Sequence, residues 1–490
     1  MMSSRIPAFV AAMAAASALS YSSPNVHVFR NDGKYNVYDK DSIENIKLGA
    51  TDNQVDFYFK NGAKYDAEIS AVDSLVFIGD TCLISEINIV TEDGLDVTSK
   101  TEYQNCTINI NGHNIFDSDI LSGKIRGRGN STWLWYDKKP YRIKLDKKSK
   151  MLGLKKGKSF VLLANYRDPT FMMNAFAFEM ADYLDMPFSN HSRFCNLYIN
   201  GEFKGLYMLT EQIQQGNNRV EIDEDKGILL SLDVDDGPGE SPDADDNFYG
   251  SITTTSSSSS QMWGGRPGGN QQQTQTTQIP VCIKYPEDSV MLEKKSAIQD
   301  SFAVLTSAIQ NHDYAAFKTL MDVQSYIDFI LIQEMTYNVE LEAPRSMYMY
   351  KNDGNDSLWH MGPVWDFDGG FFFDWTNMTE SRNYFTNNSL LLGSDPVSNP
   401  NGVNPFFTCM FNDSDFKADF LDRWNQVKDN MLPMLFAKLD NYKLQINCSM
   451  QQDQELWNLT TDFDTQFQNL KNWISEHYKL MDKCYQGFAQ

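Results

Sequence analysis

Short strand patterns fill the first half of this sequence, and long helical patterns fill most of the second half. Strands that are segregated from helices in this way are typical of an α+β architecture. The predicted strands are residues 84–90, 107–110, 124–126, 141–145, 194–199, 204–209, 346–350 and 359–366. The predicted helices are residues 168–184, 289–310, 323–337, 413–439 and 454–480. We therefore predict one α+β domain over residues 82–490, with a helical C-terminal region.

An internal repeat precedes this domain. The run VHVFRNDGKY at residues 26–35 resembles VDFYFKNGAKY at residues 55–65, and a further apolar stretch follows each. Asp-Gly and Asn-Gly stand between alternating apolar residues, which is the strongest short-range signal for a β-hairpin. We predict a small β-module over residues 24–79 that serves as a spacer or docking element and carries no catalytic groups.

The first 20 residues have the pattern of a secretory signal peptide. Arg5 precedes an apolar, alanine-rich run at residues 6–18, and small and polar residues follow. An internal amphipathic helix is the alternative. No later window contains about 20 apolar residues, so we expect a mature chain without a transmembrane segment. The prediction is a secreted or otherwise extracytoplasmic protein, in a periplasm or at a cell surface.

The charge of the chain excludes one class of partner. A net charge of −23 would repel the phosphates of a nucleic acid. The seven cysteines are scattered and form no C-x-x-C pair, so a zinc site is not expected. Sparse cysteines in a chain of 490 residues indicate that hydrophobic cores, rather than disulfides, hold the fold together.

Residues 235–279 differ from the rest of the chain. They begin acidic with Gly and Pro, pass through a Thr/Ser run, and end in Gly, Asn, Gln and Thr. Such a composition cannot bury enough apolar area to fold. We predict a disordered insertion inside the α+β domain, because strand-like sequence resumes at residue 279.

A glycine-rich basic segment is the first candidate for a binding site. KIRGRGNSTW at residues 124–133 is followed by KKPYRIKL at residues 138–145. The glycines allow a close backbone approach, and Arg126, Arg128 and Lys144 concentrate positive charge in an acidic protein. This combination favours an anionic ligand such as a phosphate. A hairpin with an exposed basic face is the alternative.

Two acids in the segment WDFDGG, residues 365–370, are the second candidate. Asp366 and Asp368 would point the same way on a regular strand, because side chains alternate there. Two carboxylates at a strand end suit a magnesium ion that bridges phosphate oxygens. A pair of turn-forming acids is the alternative.

The end of a predicted helix offers a third candidate. Asn338 and Glu340 lie where the helix gives way to a loop, a common position for catalytic groups. An ordinary helix C-terminus is the alternative. Glu211, after a predicted strand, could pair with a basic residue such as Lys144, although a surface acid is the simpler interpretation.

Several motifs together resemble the CotH family of spore-coat-like proteins. They are RGRGNSTW, KKPYRIKL, LLANYRDPTFMMNAFAFEMA, LYINGEFKGLYMLTEQI, IKYPED, PRSMYMYK and MGPVWDFD, and they occur in the family's order over about residues 82–425. The resemblance implies an atypical protein-kinase-like fold. It also implies phosphorylation of protein serine or threonine outside the cytoplasm, dependent on ATP and on Mg or Mn. The implied partner is a secreted or surface protein, which includes the chain itself.

The resemblance also assigns roles to individual residues. Asp366 matches the family's metal-binding acid, with Asp368 beside it, and Asn338 is assigned to the same metal. Arg126, Arg128 and Lys144 match the region that faces nucleotide phosphates, and Glu211 is grouped with them.

Two positions depart from the family's pattern. The loop after Asn338 matches the region of the catalytic base, where kinase-active relatives have Asp and this chain has Glu340 or Glu342. Many relatives have an Arg before Asn174, where this chain has Met173. The first hypothesis is therefore a kinase with Glu340 as its base. A non-catalytic surface or adhesion protein with the same fold is the second, and a carbohydrate-acting enzyme is a third.

Overall fold

The computed structural model describes most of the chain. The described residues are 25–30, 35–39, 42–48, 54–60, 62, 64–78, 84–113, 115–235, 245–258, 271–352, 358–376, 382–398 and 401–489. The predicted signal peptide at residues 1–20 lies outside these ranges. Helices and strands are both abundant, and the α+β prediction is confirmed.

The N-terminal module consists of two three-stranded antiparallel sheets that exchange strands. Each repeat supplies a hairpin and a third strand, and the third strand pairs with the hairpin of the other repeat. The sheet orders are β2-β1-β6 and β3-β4-β5. The strands are β1 Asn25–Arg30, β2 Tyr35–Asp39, β3 Ile43–Leu48, β4 Gln54–Phe59, β5 Lys64–Glu68 and β6 Val72–Ile78. Both predicted hairpins are therefore present, and the exchange joins the repeats into one module.

The next seven strands close into a barrel. Its order is β10-β11-β13-β12-β7-β8-β9, and all pairs are antiparallel except the parallel pair of β7 and β12. Apolar residues such as Ile125 and Ile143 fill the interior. The residues that alternate with them along each strand face outwards. The strands are β7 Glu86–Thr91, β8 Gln104–Asn111, β9 Asp119–Gly127, β10 Tyr141–Ser149, β11 Gly157–Leu163, β12 Arg193–Ile199 and β13 Glu202–Glu211. The short helix α1, Ser131–Trp135, connects β9 to β10.

The second large unit combines a five-stranded sheet with helices. The sheet order is β15-β16-β14-β17-β18. Its strands are β14 Ile228–Leu232, β15 Asn247–Ser258, β16 Gln271–Tyr285, β17 Met347–Lys351 and β18 Trp359–Met361. The helices are α2 Met173–Tyr183, α3 Asp288–Gln310, α4 Tyr314–Phe317, α5 Val323–Met335, α6 Pro405–Thr408, α7 Ser414–Leu456 and α8 Phe463–Tyr485. Short 3-10 turns lie at Ile69–Ala71, Val339–Leu341, Cys409–Asn412 and Gln486–Ala489.

Two of these helices form the centre of the large core. Most residues of α2 and α5 are buried, including polar ones such as Asn174 and Glu334. A helix that is buried on all sides belongs in a protein interior rather than at its surface. No helix in the described ranges is long and apolar enough to cross a membrane.

Helix α7 attaches the barrel to the helical unit. The Lys138 ammonium lies 2.6 Å from Asp453 Oδ1 on α7, and the same oxygen accepts from the backbone N–H of Leu206 at 2.8 Å. Both charged side chains are fully buried. The helix also runs well past residue 439, where the sequence predicted its end, because Tyr442, Ile446 and Met450 continue its buried face.

The prediction of disorder across residues 235–279 is wrong where the structure describes that segment. Residues 247–258 pair along their whole length with residues 271–282 in an antiparallel hairpin. Phe248 packs against Phe302 of α3 with ring centroids 5.8 Å apart, and the backbone N–H of Thr253 donates to Gln310 Oε1 at 2.7 Å. The Thr, Ser and Gln residues are compatible with strands once their backbone groups are paired. The few apolar residues are enough to attach the hairpin to α3.

Candidate active site

The acids of WDFDGG lie on a loop and not on a strand. Strand β18 ends at Met361, and Pro363 follows without a backbone N–H to continue the ladder. Asp366 has a φ of +66°, so the prediction of two carboxylates on a regular strand is wrong. Asn174 of α2 instead holds the loop, because its Oδ1 accepts from the backbone N–H of Phe367 at 2.9 Å. The Tyr384 hydroxyl donates to the carbonyl of Asp368 at 2.7 Å.

The same loop packs against the end of α5. The backbone N–H of Phe371 donates to the carbonyl of Thr336 at 2.6 Å. A Cβ on Gly370 would lie 2.6 Å from that carbonyl oxygen, so only glycine fits there. A Cβ on Gly369 would lie 3.7 Å from Glu340 Oε1, which places Glu340 against the acidic loop. The structure therefore brings together Glu340, Asp366 and Asp368, as the sequence predicted.

The Asn338 side chain connects the acidic loop to the turn that follows α5. Its Nδ2 donates to Gln333 Oε1 at 2.9 Å and to the carbonyl of Asp366 at 3.4 Å. Its Oδ1 accepts from the backbone N–H of Glu340 at 3.3 Å. The side chain is fully buried. The Asn338 amide therefore positions Glu340 and the backbone of Asp366, and its assignment to the metal stays a prediction.

Burial and like charge raise the affinity of Asp366 and Glu340 for protons. Burial, and then the charge of Asp368, raise the pKa of Asp366 to about 7, against the opposing charge of Arg128. Burial, and then the charges of Asp366 and Asp368, raise the pKa of Glu340 well above its usual range. Glu340 Oε2 is buried and has no hydrogen-bond partner in the described chain. A cation at this position would relieve the repulsion.

Two arginines face the acids from the barrel side. Arg128 follows β9, and its guanidinium lies 5.5 Å from the ring of Trp365. Arg167 follows β11 and lies 4.0 Å from the ring of Phe373. Burial alone would lower the pKa of Arg167, but the charges of Asp368 and Asp366 raise it above its usual value. Sequence reasoning missed Arg167, although a lone cation in the apolar run LLANYRDPTFMM was a usable signal.

The structure places Arg126 and Lys144 on the outer face of the barrel. Arg126 Nη1 donates to the carbonyl of Lys100, and its guanidinium lies 5.0 Å from the ring of Tyr103. Lys144 is exposed on the neighbouring strand. Among the basic residues of this segment, Arg128 is the one whose charge acts strongly on Asp366. The exposed basic face, which the sequence left as an alternative, fits Lys144, whereas Arg126 is half-buried. Their assignment to nucleotide phosphates stays a prediction.

Glu211 pairs with a histidine and not with Lys144. Its Oε1 lies 2.9 Å from His191 Nδ1, and its Oε2 accepts from the backbone N–H of His191 at 3.0 Å. Burial opposes ionisation, yet His191 and then Arg219 lower the pKa of Glu211 to about 2. Glu211 is therefore a buried, ionised acid with its own partners, which differs from the predicted pair and from a surface acid.

The acids suit a metal that is shared with a ligand. Within the described residues, no group of three or more His, Cys, Asp or Glu side chains is arranged to hold a metal ion. Magnesium is usually bound through one or two carboxylates, with phosphate oxygens and water completing its octahedron. Asp366 and Asp368 fit that donor set, and their mutual repulsion is what a cation would offset.

A barrel that presents arginines to a carboxylate loop on a helical unit defines an α+β protein in which cations and acids face one another. The matching family model is more specific. The model described as CotH kinase protein matches residues 125–481, and the chain belongs to the CotH family. The resemblance seen in the sequence is thus confirmed. Comparison with curated proteins gave no match.

Proposed function

We propose that this chain is an exported protein kinase. It would transfer the terminal phosphate of ATP, with Mg or Mn, to serine or threonine of a secreted or surface protein, which includes the chain itself. The observation that carries the proposal is the position of Glu340, Asp366 and Asp368 opposite Arg128 and Arg167. Opposed sets of cations and carboxylates are what a metal-bound polyphosphate requires.

Each group then has a defined task in the transfer. Asp366 and Asp368 would hold the metal, which supplies neutralisation of phosphate charge. Arg128 would bind phosphate oxygens from the barrel side. Glu340 would accept the proton of the acceptor hydroxyl while the hydroxyl oxygen forms a bond to the terminal phosphorus. The bond between that phosphorus and the ADP oxygen breaks, and ADP keeps the electron pair. Most of the rate enhancement in such a reaction comes from positioning and charge neutralisation.

The protonation of Glu340 links these tasks. Because burial and the neighbouring acids raise its pKa well above the usual range, the carboxyl ionises less readily in the ligand-free protein and is less available to accept a proton. Its pKa is raised in part by Asp366 and Asp368, so neutralising their charge would lower it. We expect Glu340 to ionise more readily, and so to act better as a base, once metal and phosphate are bound.

The same observation favours a second candidate, a non-catalytic binding protein. The raised pKa of Glu340 and its buried, unpartnered Oε2 favour a protonated carboxyl that donates a hydrogen bond to a ligand rather than one that accepts a proton. In that case the site would bind its ligand without transferring phosphate. The exposed basic face around Lys144 would remain available for an acidic partner.

Phosphate transfer to protein separates the two candidates. The purified mature protein is incubated with labelled ATP and Mg or Mn, and mass spectrometry then locates phosphate on the protein itself. The matched control is Asp366→Asn. Metal-dependent labelling that this variant abolishes supports the kinase, whereas nucleotide binding without labelling of the chain or of added surface proteins supports the binding protein.

A further inference from the structure

The guanidinium of Arg167 has hydrogen-bonding capacity that the described part of the chain leaves unused. Only 4% of the residue is exposed. Its Nε and Nη2 atoms are buried, and neither has a hydrogen-bond partner among those residues. A buried charged donor that loses water without gaining an acceptor is costly, so folded proteins rarely retain one. An acceptor from outside the chain would remove that cost.

Aromatic rings lie close to this guanidinium but give it no hydrogen-bond acceptor. The group lies 4.0 Å from the ring centroid of Phe373 and 5.0 Å from that of Trp375. Such contacts cover the flat face of a guanidinium, whereas its N–H bonds lie in its plane. The in-plane edge matches the spacing of two oxygens of a phosphate.

The backbone on both sides of Arg167 is held in place. Arg382 donates from Nε to the carbonyl of Tyr166 at 2.8 Å and from Nη2 to the carbonyl of Asp168 at 3.2 Å. The Asp168 carboxylate accepts from the backbone N–H of Met173 at 2.7 Å, at the start of α2. The arginine is therefore preorganised, so a ligand would not have to order the loop on binding.

The surrounding charges define the ligand. Asp368 and Asp366 act on Arg167 from the acidic loop, and alone they would repel a free anion. A phosphate that arrives with a divalent cation satisfies both sides, because the cation neutralises the acids and the oxygens accept from Arg167. This inference rests on the proposed function. We propose that Arg167, which lies against the rings of Phe373 and Trp375, binds the terminal phosphate of the nucleotide.

Nucleotides of different length test this assignment on the full chain. Isothermal titration calorimetry measures the binding of ATP, ADP and inorganic triphosphate, each with Mg, to the wild type, Arg167→Met and Arg167→Lys. We expect the wild type to prefer ATP to ADP. Arg167→Met should weaken the binding of ATP and triphosphate by about 10-fold to 100-fold, the range for a charged hydrogen bond. The exposed Lys479→Met serves as the charge-matched control and should bind as the wild type does.

Three outcomes would overturn the assignment. They are a wild type that binds none of the three ligands, an Arg167→Met variant that keeps the preference for ATP, and an equal loss of ATP and ADP. If Arg167→Met does not fold, Arg167→Lys decides: it keeps a point charge but not the planar fork, and an unchanged preference for ATP would contradict the proposal. A wild type that shows the Arg167-dependent preference but transfers no phosphate would refute the kinase and leave this assignment standing.

Discussion

At the residue scale, the carboxyl groups of Asp366 and Glu340 affect the stability of the ligand-free protein. Asp366 and Glu340 are held where burial and like charge disfavour ionisation. Asn174 and Asn338 fix the backbone around them by hydrogen bonds from opposite sides. The site is therefore built at some cost to the ligand-free protein, as is common where titratable groups are gathered for function.

Asp366→Asn should stabilise the ligand-free protein at neutral pH and have less effect at pH 5. The pKa of Asp366 is raised from 3.8 to about 7 in the folded chain. The folded state therefore binds more protons than the unfolded state between these values, and stability falls as the pH rises through that window. Asn cannot ionise, so this residue no longer lowers the stability of the variant as the pH rises. Urea unfolding at pH 5 and pH 8 measures the difference.

The exposed Asp137→Asn is the control for this experiment, because it removes the same charge from the surface. The variant Asp366→Asn should also lose stabilisation by Mg-ATP in a thermal-shift measurement. A destabilised ligand-free variant that still binds nucleotide would mean that the paired acids are structural.

Glu340→Gln should leave nucleotide binding intact and reduce phosphate transfer by roughly 10²-fold to 10⁴-fold, the usual contribution of a general base. Glu340→Asp restores the residue type of kinase-active relatives and should maintain or raise turnover. Glu342→Gln is the matched control, because this exposed acid is the other candidate base. Steady-state kinetics compare the three variants, and a loss confined to Glu342→Gln would move the base to that residue.

At the scale of elements, packing determines the structure of a segment whose composition predicted disorder. Strands β15 and β16 consist largely of Ser, Thr and Gln, yet they form a paired hairpin. Phe248, Ile252 and Ile279 are buried and bind the hairpin to the core. These apolar residues are few and widely spaced, so an average over the segment hides them.

Phe248→Ala should therefore destabilise the protein by about 3–5 kcal/mol, the usual cost of removing a buried phenyl ring. Tyr249→Ala is the matched control, since Tyr249 is the next residue of β15 and is 47% exposed. That change should lie within about 0.5 kcal/mol of the wild type. Urea unfolding compares the two, and similar costs would mean that the hairpin does not pack on α3.

At the scale of the whole molecule, one buried ion pair joins the barrel to the long helix α7. Lys138 bonds to Asp453 and to the carbonyl of Leu206, and its ammonium lies between the rings of Phe171 and Tyr207. Burial lowers the pKa of Lys138 to about 8, although Asp453 opposes that shift. The acid is thus the partner that keeps the buried ammonium charged.

Asp453→Ala should destabilise the protein by about 3–5 kcal/mol, because it leaves a buried charge without its partner. The double variant Lys138→Met with Asp453→Leu should lose less, since apolar residues replace both charges. Removing Asp453 lowers the pKa of Lys138 further, so the folded single variant binds fewer protons than the unfolded chain and should gain stability as the pH rises from about 7 to about 10. Denaturant titrations of both variants across this range test the prediction, and equal losses would contradict it.

The sequence alone determined the local features of this protein. Alternating residues around Asp-Gly and Asn-Gly predicted the hairpins of the N-terminal module, and helical periodicity predicted α3 and α5 nearly to their ends. The ordered motifs predicted the family, and the candidate residues Glu340, Asp366 and Asp368 lie near one another in the structure. Each of these signals depends on neighbours within a few residues or on the order of motifs, both of which a sequence displays directly.

Only the tertiary structure decided which distant residues meet. The third strands of the module are exchanged between the repeats, and Glu211 pairs with His191. The amide of Asn338 bonds to the backbone of the acidic loop, and Arg167 lies near the acids of that loop. No local pattern specifies these choices. Burial and electric fields sum over side chains that are adjacent in space and far apart along the chain, so the partners of a charge become known only once the cores have packed.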